Sequence, residues 1–172
     1  MFVRREIAGD AVAIREVHAS AFAVPGRDSD PGEVWLVDTL RGSDAWIPEL
    51  SLVAVECGEV TGHVLGSRAE VGDLRAIGLG PLGVRSGSQR GGVGSALMHA
   101  VLGAADAMGE PLVGLLGDHG YYRRFGFAPA GEFGIDAPDP TFGDHFQVRA
   151  LTTYDPSTRG VFRYASPFMR LS

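Results

Sequence analysis

The hydrophobic and polar positions of the chain follow two periods, which predict strands and helices in alternation. Short apolar runs predict six strands, at residues 2–7, Leu52–Glu56, Val60–Ser67, Leu74–Val84, Leu112–Gly117 and His145–Leu151. Helical spacing predicts four helices: one with Asp10 as its N-cap and Val12 on its apolar face, one near Glu33–Leu40, one that begins near Gly91 with apolar positions from Val93 to Met108, and a short aromatic one at Tyr121–Phe125. Since hairpins are mixed with one crossover connection, we expect an α/β fold with a mixed sheet and helices on both faces.

The composition narrows the class of protein. A chain of 172 residues fits one globular domain, and its 45% hydrophobic and 21% charged residues are typical of a folded protein. No apolar window of about 18 residues predicts a membrane span, and the first ten residues lack the apolar core of a signal peptide. Cys57 is the single cysteine, so we expect no disulfide and no metal site, and we interpret it as a small buried residue of the second strand. We therefore expect a single domain over residues 1–172, located in the cytoplasm.

The distribution of charge along the chain indicates which kinds of partner the protein can bind. The net charge of −6 argues against nucleic acid, because phosphate contacts need a clustered basic surface. Residues 74–105 nevertheless contain Arg75, Arg85 and Arg90 and no Asp or Glu. Such a stretch is either reserved for an anion or belongs to a buried strand and an apolar helix, which exclude carboxylates. Composition alone leaves both interpretations open.

Seven of the seventeen residues from 78 to 94 are glycine, and two nucleotide-binding patterns fail in this stretch. Residues 78–83 match the letters of the dinucleotide pattern G-x-G-x-x-G, but further residues separate them from the helix that this fingerprint must open directly. Gly87 and Gly92 have the spacing of a P-loop, yet the next two positions lack the Lys and the Ser or Thr that a P-loop needs. The sequence therefore argues against both sites.

The segment Gln89–Ser95 lies between a predicted strand and the helix that follows it. The first turn of a helix has free N–H groups and a partial positive charge, and glycine lets the backbone come close to a phosphate. Gly92 and Gly94 would allow this approach, and Arg85 or Arg90 would add charge-assisted contacts. The segment is thus suited to a pyrophosphate, although a glycine-rich turn with close helix–strand packing explains the same residues.

Three segments, taken in order, carry a resemblance to a known family. Gln89-x-x-Gly92-x-Gly94 stands between residues 79–84, which read as a strand, and residues 117–127, which read as a strand end, a short helix and a Gly-Phe pair. This order resembles the fourth strand, the Q/R-x-x-G-x-G/A signature and the fifth strand of the GNAT superfamily of N-acetyltransferases. The resemblance covers residues 2–150 and implies a single-domain GNAT fold, with a mostly antiparallel twisted sheet splayed between strands four and five. It implies that acetyl-CoA is held by Gln89, Arg90, Gly91, Gly92, Val93, Gly94 and Ser95.

In that family the fourth strand carries a bulge, and the pantetheine arm of the cofactor lies in the gap beside it. Pro81 fits this arrangement, because proline lacks an N–H group and would interrupt a regular central strand. The resemblance implies pantetheine contacts from the backbone of Leu82, Gly83 and Val84, with an N–H near Leu82 polarising the thioester carbonyl. An ordinary strand end is the alternative interpretation.

Tyr122 is the candidate general acid. By resemblance, an amine attacks the thioester directly, and a tyrosine four residues before the glycine of the Gly-Phe pair protonates the departing thiolate. Tyr122 stands four residues before Gly126, and a phenol with a pKa near ~10 is protonated at neutral pH. Core packing with Tyr121 and Phe125 explains the same residue.

The sequence does not single out the general base or the acceptor substrate. The fourth strand has no carboxylate to act as base, so His63, Asp73 and His145 are the candidates. The resemblance implies a primary amine acceptor, on a small molecule or a polypeptide, bound by the loop 23–34, the second helix and the late strand. It also suggests a homodimer. A non-catalytic acyl-CoA-binding or regulatory domain is the alternative function.

Overall fold

The computed structural model describes residues 1–171. Within those residues the α-helices are α1 (Ala11–Ala21), α2 (Gly32–Arg41), α3 (Val93–Ala107) and α4 (His119–Tyr122). The strands are β1 (Phe2–Arg5), β2 (Trp46–Glu56), β3 (Glu59–Val71), β4 (Leu74–Val84), β5 (Leu112–Leu116), β6 (Ala128–Pro129), β7 (Ile135–Asp136), β8 (Phe146–Ala150) and β9 (Gly160–Arg163). Short 3-10 helices connect several of these elements.

The strands form a mixed, mostly antiparallel sheet. Its order is β1-β2-β3-β4-β5-β8-β6, with β9 beside β3 and β7 beside β9. β4 pairs in parallel with β5, and β7 pairs in parallel with β9, whereas the other neighbours are antiparallel. A parallel pair needs a crossover, and α3 supplies it between β4 and β5. The predicted fold class is therefore confirmed.

Helices cover both faces of the sheet. The core that contains α3 includes Leu52 of β2, and the core that contains α1 and α2 includes Val53 of the same strand. Because successive strand residues point to opposite faces, the two cores lie on opposite sides of the sheet. Within residues 1–171, no helix is long and apolar enough to cross a membrane.

β4 carries a bulge at Gly80-Pro81. Val64 of β3 pairs with Leu82, and Gly66 pairs with Leu79, so β4 has one residue more than β3 over this interval. Leu79 and Leu82 consequently both pack toward the α3 core although they are three residues apart.

β4 and β5 separate soon after they pair. Their parallel pairing is confined to Ile77 with Val113 and Gly78 with Gly114, while β4 continues to Val84. All of β5 pairs with β8 on its other side. Among residues 1–171, no strand pairs with the edge of β4 that faces β5 beyond Gly78. The predicted splay between the fourth and fifth strands is therefore confirmed.

Cys57 lies in the turn between β2 and β3, and our prediction that it is buried in the second strand is wrong. Its side chain is exposed, and its φ angle of 50° lies in the left-handed region. Gly58 follows with a φ angle of 81°. Two successive residues with positive φ are typical of a tight hairpin turn, and this turn overrides the tendency of free cysteine to be buried.

Two side chains of the first helix also differ from the prediction. Asp10 takes the N-cap position of α1, but its carboxylate makes no hydrogen bond to that helix. It accepts hydrogen bonds from Arg4 and from the N–H of Ile7, so it closes the preceding turn instead. Val12, which we predicted on the apolar face, is 69% exposed.

Candidate active site

A cavity of about 620 Å³ lies between the C-terminal end of α1, the free edge of β4 and the N-terminal end of α3. It is lined by Ala21, Phe22, Leu82, Val84, Gln89, Arg90, Gly92, Gly94, Ser95, Tyr121 and Arg124. Seven of these residues belong to the ten predicted to contact the cofactor. The glycine segment and the strand edge, which are separate in the sequence, thus meet in one cavity.

The N-terminus of α3 opens into this cavity. Gly92 is its N-cap residue, with a φ angle of 86° that favours glycine, and no side chain among residues 1–171 caps the helix. The N–H groups of the first turn therefore have no partner within the helix and carry the partial positive charge of the helix dipole. Such a helix end binds an anion, and a phosphate group above all.

Gly94, in the first turn of α3, lies close to the side chain of Tyr121. A Cβ atom at this position would lie 2.8 Å from the hydroxyl oxygen of Tyr121. Arg124 stacks over the ring of Tyr121, 4.4 Å from its centroid, and both side chains line the cavity. The phenol hydroxyl and the guanidinium group are thus held beside the open helix end.

The polar side chains of the glycine segment have different roles. The side-chain amide of Gln89 donates a hydrogen bond to the carbonyl of Val84, which ties the loop to the end of β4. Arg90 lines the cavity. Arg85, which we considered for a phosphate contact, instead pairs with Glu16 at 2.9 Å and donates to the carbonyl of Val60.

Three predicted cofactor residues do not line the cavity. Val93 is 1% exposed and packs in the α3 core. Gly83 faces α1, where a Cβ atom would contact His18 and Ala21. Gly91 lies in the turn before the helix, where a Cβ atom would approach the carbonyl of Ser88 at 3.5 Å.

Tyr122 lies next to β5 in an aromatic cluster. Its ring lies against Gly117, which follows that strand, and its centroid is 4.8 Å from that of Tyr121 and 6.0 Å from that of Phe127. Burial, with the nearby charge of Asp118, raises the pKa of Tyr122 to about 12. The phenol is therefore protonated throughout the ordinary pH range.

The three candidate bases lie in three different parts of the fold. Asp73 is exposed in the turn between β3 and β4, at the far end of β4 from the cavity. His145 is exposed just before β8, where its carbonyl accepts a hydrogen bond from the N–H of Gly117. His63 is 0% exposed, and its Nδ1 atom lies 2.8 Å from Nε2 of His18.

The elements that form this site match the model of a known protein family. The family model described as the acetyltransferase (GNAT) family matches residues 13–127, which include the bulged strand, the open helix end and the aromatic turn around Tyr122. The chain belongs to the GNAT family.

Other GNAT proteins resemble the chain over nearly its whole length. YjhQ of Escherichia coli K12, an uncharacterized N-acetyltransferase, is 34% identical over 166 residues, which cover 92% of this chain and 88% of YjhQ. The structure of YhbS from Escherichia coli in complex with CoA matches with a TM-score of 0.86 and 29% identity, over 99% of this chain and 93% of YhbS. A GNAT acetyltransferase of Brucella melitensis in complex with acetyl-CoA matches with a TM-score of 0.77 and 34% identity, over 97% of each chain. The predicted superfamily and fold are confirmed.

Four cavity residues are not among the ten predicted cofactor contacts, and our sequence reasoning missed them. Tyr121 and Arg124 are three residues apart, so helical spacing would have placed them on one face and signalled a shared role. Ala21 and Phe22 carry no such signal, because they reach the cavity only through the packing of α1 on the sheet.

Proposed function

We propose that this GNAT protein is an N-acetyltransferase that transfers the acetyl group of acetyl-CoA to a primary amine of a small molecule or polypeptide. The observation that carries the proposal is the meeting of the open N-terminus of α3 with the free edge of β4 in one cavity. The helix end suits a pyrophosphate, and the strand edge suits an extended arm with amide groups. The CoA and acetyl-CoA complexes of the two similar structures support the same cosubstrate.

The pyrophosphate binds at the segment Gln89–Ser95. Backbone N–H groups from Gly91 to Ser95 bind the phosphate oxygens, and Arg90 adds a charge-assisted contact. The exposed guanidinium of Arg124, which also lines the cavity, supplies a second cation. The pantetheine arm runs along the backbone of Leu82, Gly83 and Val84 in the splay.

The reaction is a direct aminolysis of the thioester. The amine nitrogen bonds to the carbonyl carbon, the carbon–sulfur bond breaks, and the amine loses one proton. A backbone N–H near Leu82 stabilises the oxygen of the tetrahedral intermediate, as an oxyanion donor does. Free CoA leaves as a thiol after its sulfur has received a proton.

Tyr122 donates a hydrogen bond to that sulfur as the carbon–sulfur bond breaks. Its raised pKa of about 12 favours the protonated phenol, which supports a donor rather than a base. A thiol is a stronger acid than this phenol, with a reference pKa of ~8.5 for cysteine. Tyr122 therefore stabilises the departing thiolate mainly through a hydrogen bond, and solvent completes the protonation.

Replacement of Tyr122 by phenylalanine tests this role. Tyr122→Phe keeps the ring against Gly117 and removes the hydroxyl, so kcat should fall by about 10²–10⁴-fold while the Kd of acetyl-CoA changes little. Tyr122 does not line the cavity itself but packs beside Tyr121, which does. Tyr154→Phe is the matched control, because Tyr154 packs on Phe133 in a different apolar cluster from the α3 core. A folded Tyr122→Phe protein with unchanged kcat would exclude the phenol as donor.

A non-catalytic acyl-CoA-binding domain remains the alternative, and the lack of a carboxylate on β4 favours it. Thiol release from acetyl-CoA that depends on an added amine separates the two functions. Among residues 1–171, no group of three or more His, Cys, Asp or Glu side chains is arranged to hold a metal ion, and the proposal includes none. The single-domain organisation, the cytoplasmic location, the homodimer and the acceptor site around residues 23–34 stay predictions.

A further inference from the structure

The C-terminal part of the chain runs over the sheet and reaches α2. After β9, a 3-10 helix at Ser166–Arg170 contacts α2, and a Cβ atom at Gly32 would lie 2.7 Å from the side chain of Leu171. This part of the chain lies outside residues 13–127, which match the family model. Whatever it contributes to the site is therefore not part of the shared GNAT signature.

Tyr164, between β9 and this 3-10 helix, lies across the start of the splay. A Cβ atom at Gly78, the last residue of β4 that pairs with β5, would lie 2.6 Å from Cδ1 of the Tyr164 ring. The backbone N–H of Leu116, at the end of β5, donates a hydrogen bond to the Tyr164 hydroxyl. The ring thus reaches from β4 to β5 at the point where the two strands separate.

The Tyr164 ring lies on the face of the sheet opposite α3. Ile77 and Leu79 pack in the α3 core, so Gly78 and Gly80 face the other side of the sheet. Tyr164 belongs to an apolar cluster on that other side, which contains no residue of α3. The splay is therefore bounded by α3 on one face and by the C-terminal part of the chain on the other.

Apolar side chains flank the splay on this second face. The ring of Phe168 stacks on that of Tyr164, with centroids 4.4 Å apart, and its Cε1 would lie 4.0 Å from a Cβ atom at Gly80. Leu116 stands on the β5 side and is 46% exposed. Both rings and Gly80 are partly exposed as well, so a small molecule can reach them. The result is an apolar surface at the mouth of the splay.

This face is the one left open to the acceptor. The cofactor of the proposed complex occupies the cavity beside the N-terminus of α3, which Leu82 and Tyr121 line. An attacking amine therefore approaches the thioester through the splay from the opposite face. The group that carries the amine then lies against Phe168.

We propose that Phe168, held in place by Tyr164, is a specificity-determining residue, and that the acceptor is a primary amine carried by an uncharged alkyl or aryl group. This inference rests on the proposed function. Each methylene that such a group buries against an apolar surface strengthens binding by about 2–4-fold. Apolar surroundings also lower the pKa of an ammonium group and so favour the neutral amine, which is the form that attacks. This effect fits a fourth strand that has no Asp or Glu to act as base.

The charges near this surface disfavour a second ammonium group on the acceptor. Arg170 is the only charged residue among residues 164–171, and its guanidinium lies over the ring of Trp35 on α2. Asp30, in the loop before α2, is paired with Arg15 at 3.1 Å. A diamine would therefore bring a second cation toward Arg170 and lose hydration at the apolar surface.

A series of amines tests this class of acceptor on the wild-type protein. Thiol release from acetyl-CoA is measured with ethylamine, n-butylamine and n-hexylamine. Since each buried methylene strengthens binding, we expect kcat/KM to be about 10–10²-fold higher for n-hexylamine than for ethylamine. The compound 1,5-diaminopentane has the length of n-hexylamine with an ammonium group in place of the terminal methyl group. We expect its kcat/KM to be about tenfold or more below that of n-hexylamine.

Phe168→Ala assigns the preference to the ring. The ratio of kcat/KM for n-hexylamine to that for ethylamine should fall by about tenfold, because four methylenes lose their apolar contact. The kcat/KM for ethylamine and the Kd of acetyl-CoA should stay nearly unchanged. Met169→Ala is the matched control, because it shortens a side chain of the same 3-10 helix that is 85% exposed, and it should leave the ratio unchanged. A merely structural role of Phe168 would lower the rates with all amines alike and preserve the ratio.

Phe168→Leu keeps an apolar side chain and should retain most of the ratio. This variant and the wild-type series decide the question if Phe168→Ala does not fold. Equal kcat/KM for the three monoamines, a diamine as good as n-hexylamine, or an unchanged ratio in folded Phe168→Ala would overturn the role of Phe168 alone. No thiol release by the wild type with any amine would contradict the proposed function itself.

Discussion

Nδ1 of His18 and Cα of Gly83 face each other across the contact between α1 and β4. A Cβ atom at position 83 would lie 2.7 Å from this nitrogen and 3.0 Å from the neighbouring ring carbon. A larger residue must therefore push the helix and the strand apart. Because Ala21, at the end of the same helix, lines the cavity, this contact couples the position of α1 to the shape of the site.

Gly83→Ala should lower the free energy of unfolding by about 1–3 kcal/mol, since an added methyl group overpacks a close contact. It should also weaken acetyl-CoA binding, because α1 moves. Urea unfolding and calorimetry measure the two effects. Gly87→Ala is the control, because nothing lies within 4 Å of its added Cβ atom. Equal stability of the two variants would contradict the close contact.

The two buried histidines predict a loss of stability in weak acid. Burial, with the nearby charge of Arg41, lowers the pKa of His18 to about 3, and burial also lowers the pKa of His63. The unfolded chain binds a proton at each histidine near pH 6.5, whereas the folded chain does not, so stability falls as the pH falls below 6.5. The expected slope is up to about 2.7 kcal/mol per pH unit for the pair.

Urea unfolding at several pH values between 7.5 and 5 measures this slope. His18→Gln removes one of the two groups and should reduce the slope to about half of its wild-type value. His145→Gln replaces an exposed histidine and should leave the slope unchanged. A free energy of unfolding that stays constant down to pH 5 would show that neither buried histidine resists protonation.

Gly94→Glu should abolish acetyl-CoA binding while the fold survives. The substitution puts bulk and negative charge at the first turn of α3, beside the hydroxyl of Tyr121. Gly103→Glu makes the same change of charge in the same helix, at a position with nothing within 4 Å of an added Cβ atom. Calorimetry on both proteins compares them, and undiminished affinity in Gly94→Glu would mean that the pyrophosphate binds elsewhere.

The anion site should prefer CoA over ATP. Its contacts are backbone N–H groups at the start of α3, without the lysine that a P-loop extends to the terminal phosphates. Stabilisation by a ligand grows with the ratio of its concentration to its Kd, so thermal melts at equal concentrations rank the two ligands. A rise in Tm with magnesium and ATP that equals the rise with CoA would contradict a GNAT-type site.

Local patterns predicted the elements that frame the site. The strand Leu74–Val84 was predicted with its observed bounds and the start of α3 within two residues, because apolar runs are bounded there by charged residues and glycine. The bulge at Pro81 followed from the missing N–H group of proline. These features depend on residues that are close in sequence, so one sequence suffices to predict them.

Features that depend on distant residues were not predicted. β3 extends to Val71 rather than ending at Ser67 as predicted. Arg68 and Glu70 lie on the polar positions of this extension, where Arg68 pairs with Glu110 and Glu70 pairs with Arg163. Their charges suggested the end of a strand, although Ala69 and Val71 continue its buried face. The bond between His18 and His63 spans 45 residues, and no local pattern indicates it.

Transfer of an isotope-labelled acetyl group tests the account most directly. The wild-type protein is mixed with labelled acetyl-CoA and a panel of primary amines, and the amines are then examined by mass spectrometry. We predict that the label appears on the nitrogen of at least one amine, with an equal amount of CoA thiol released and with neither product in the Gly94→Glu variant. Tight binding of acetyl-CoA without label on any amine, small molecule or peptide, would contradict acetyl transfer and favour the non-catalytic alternative.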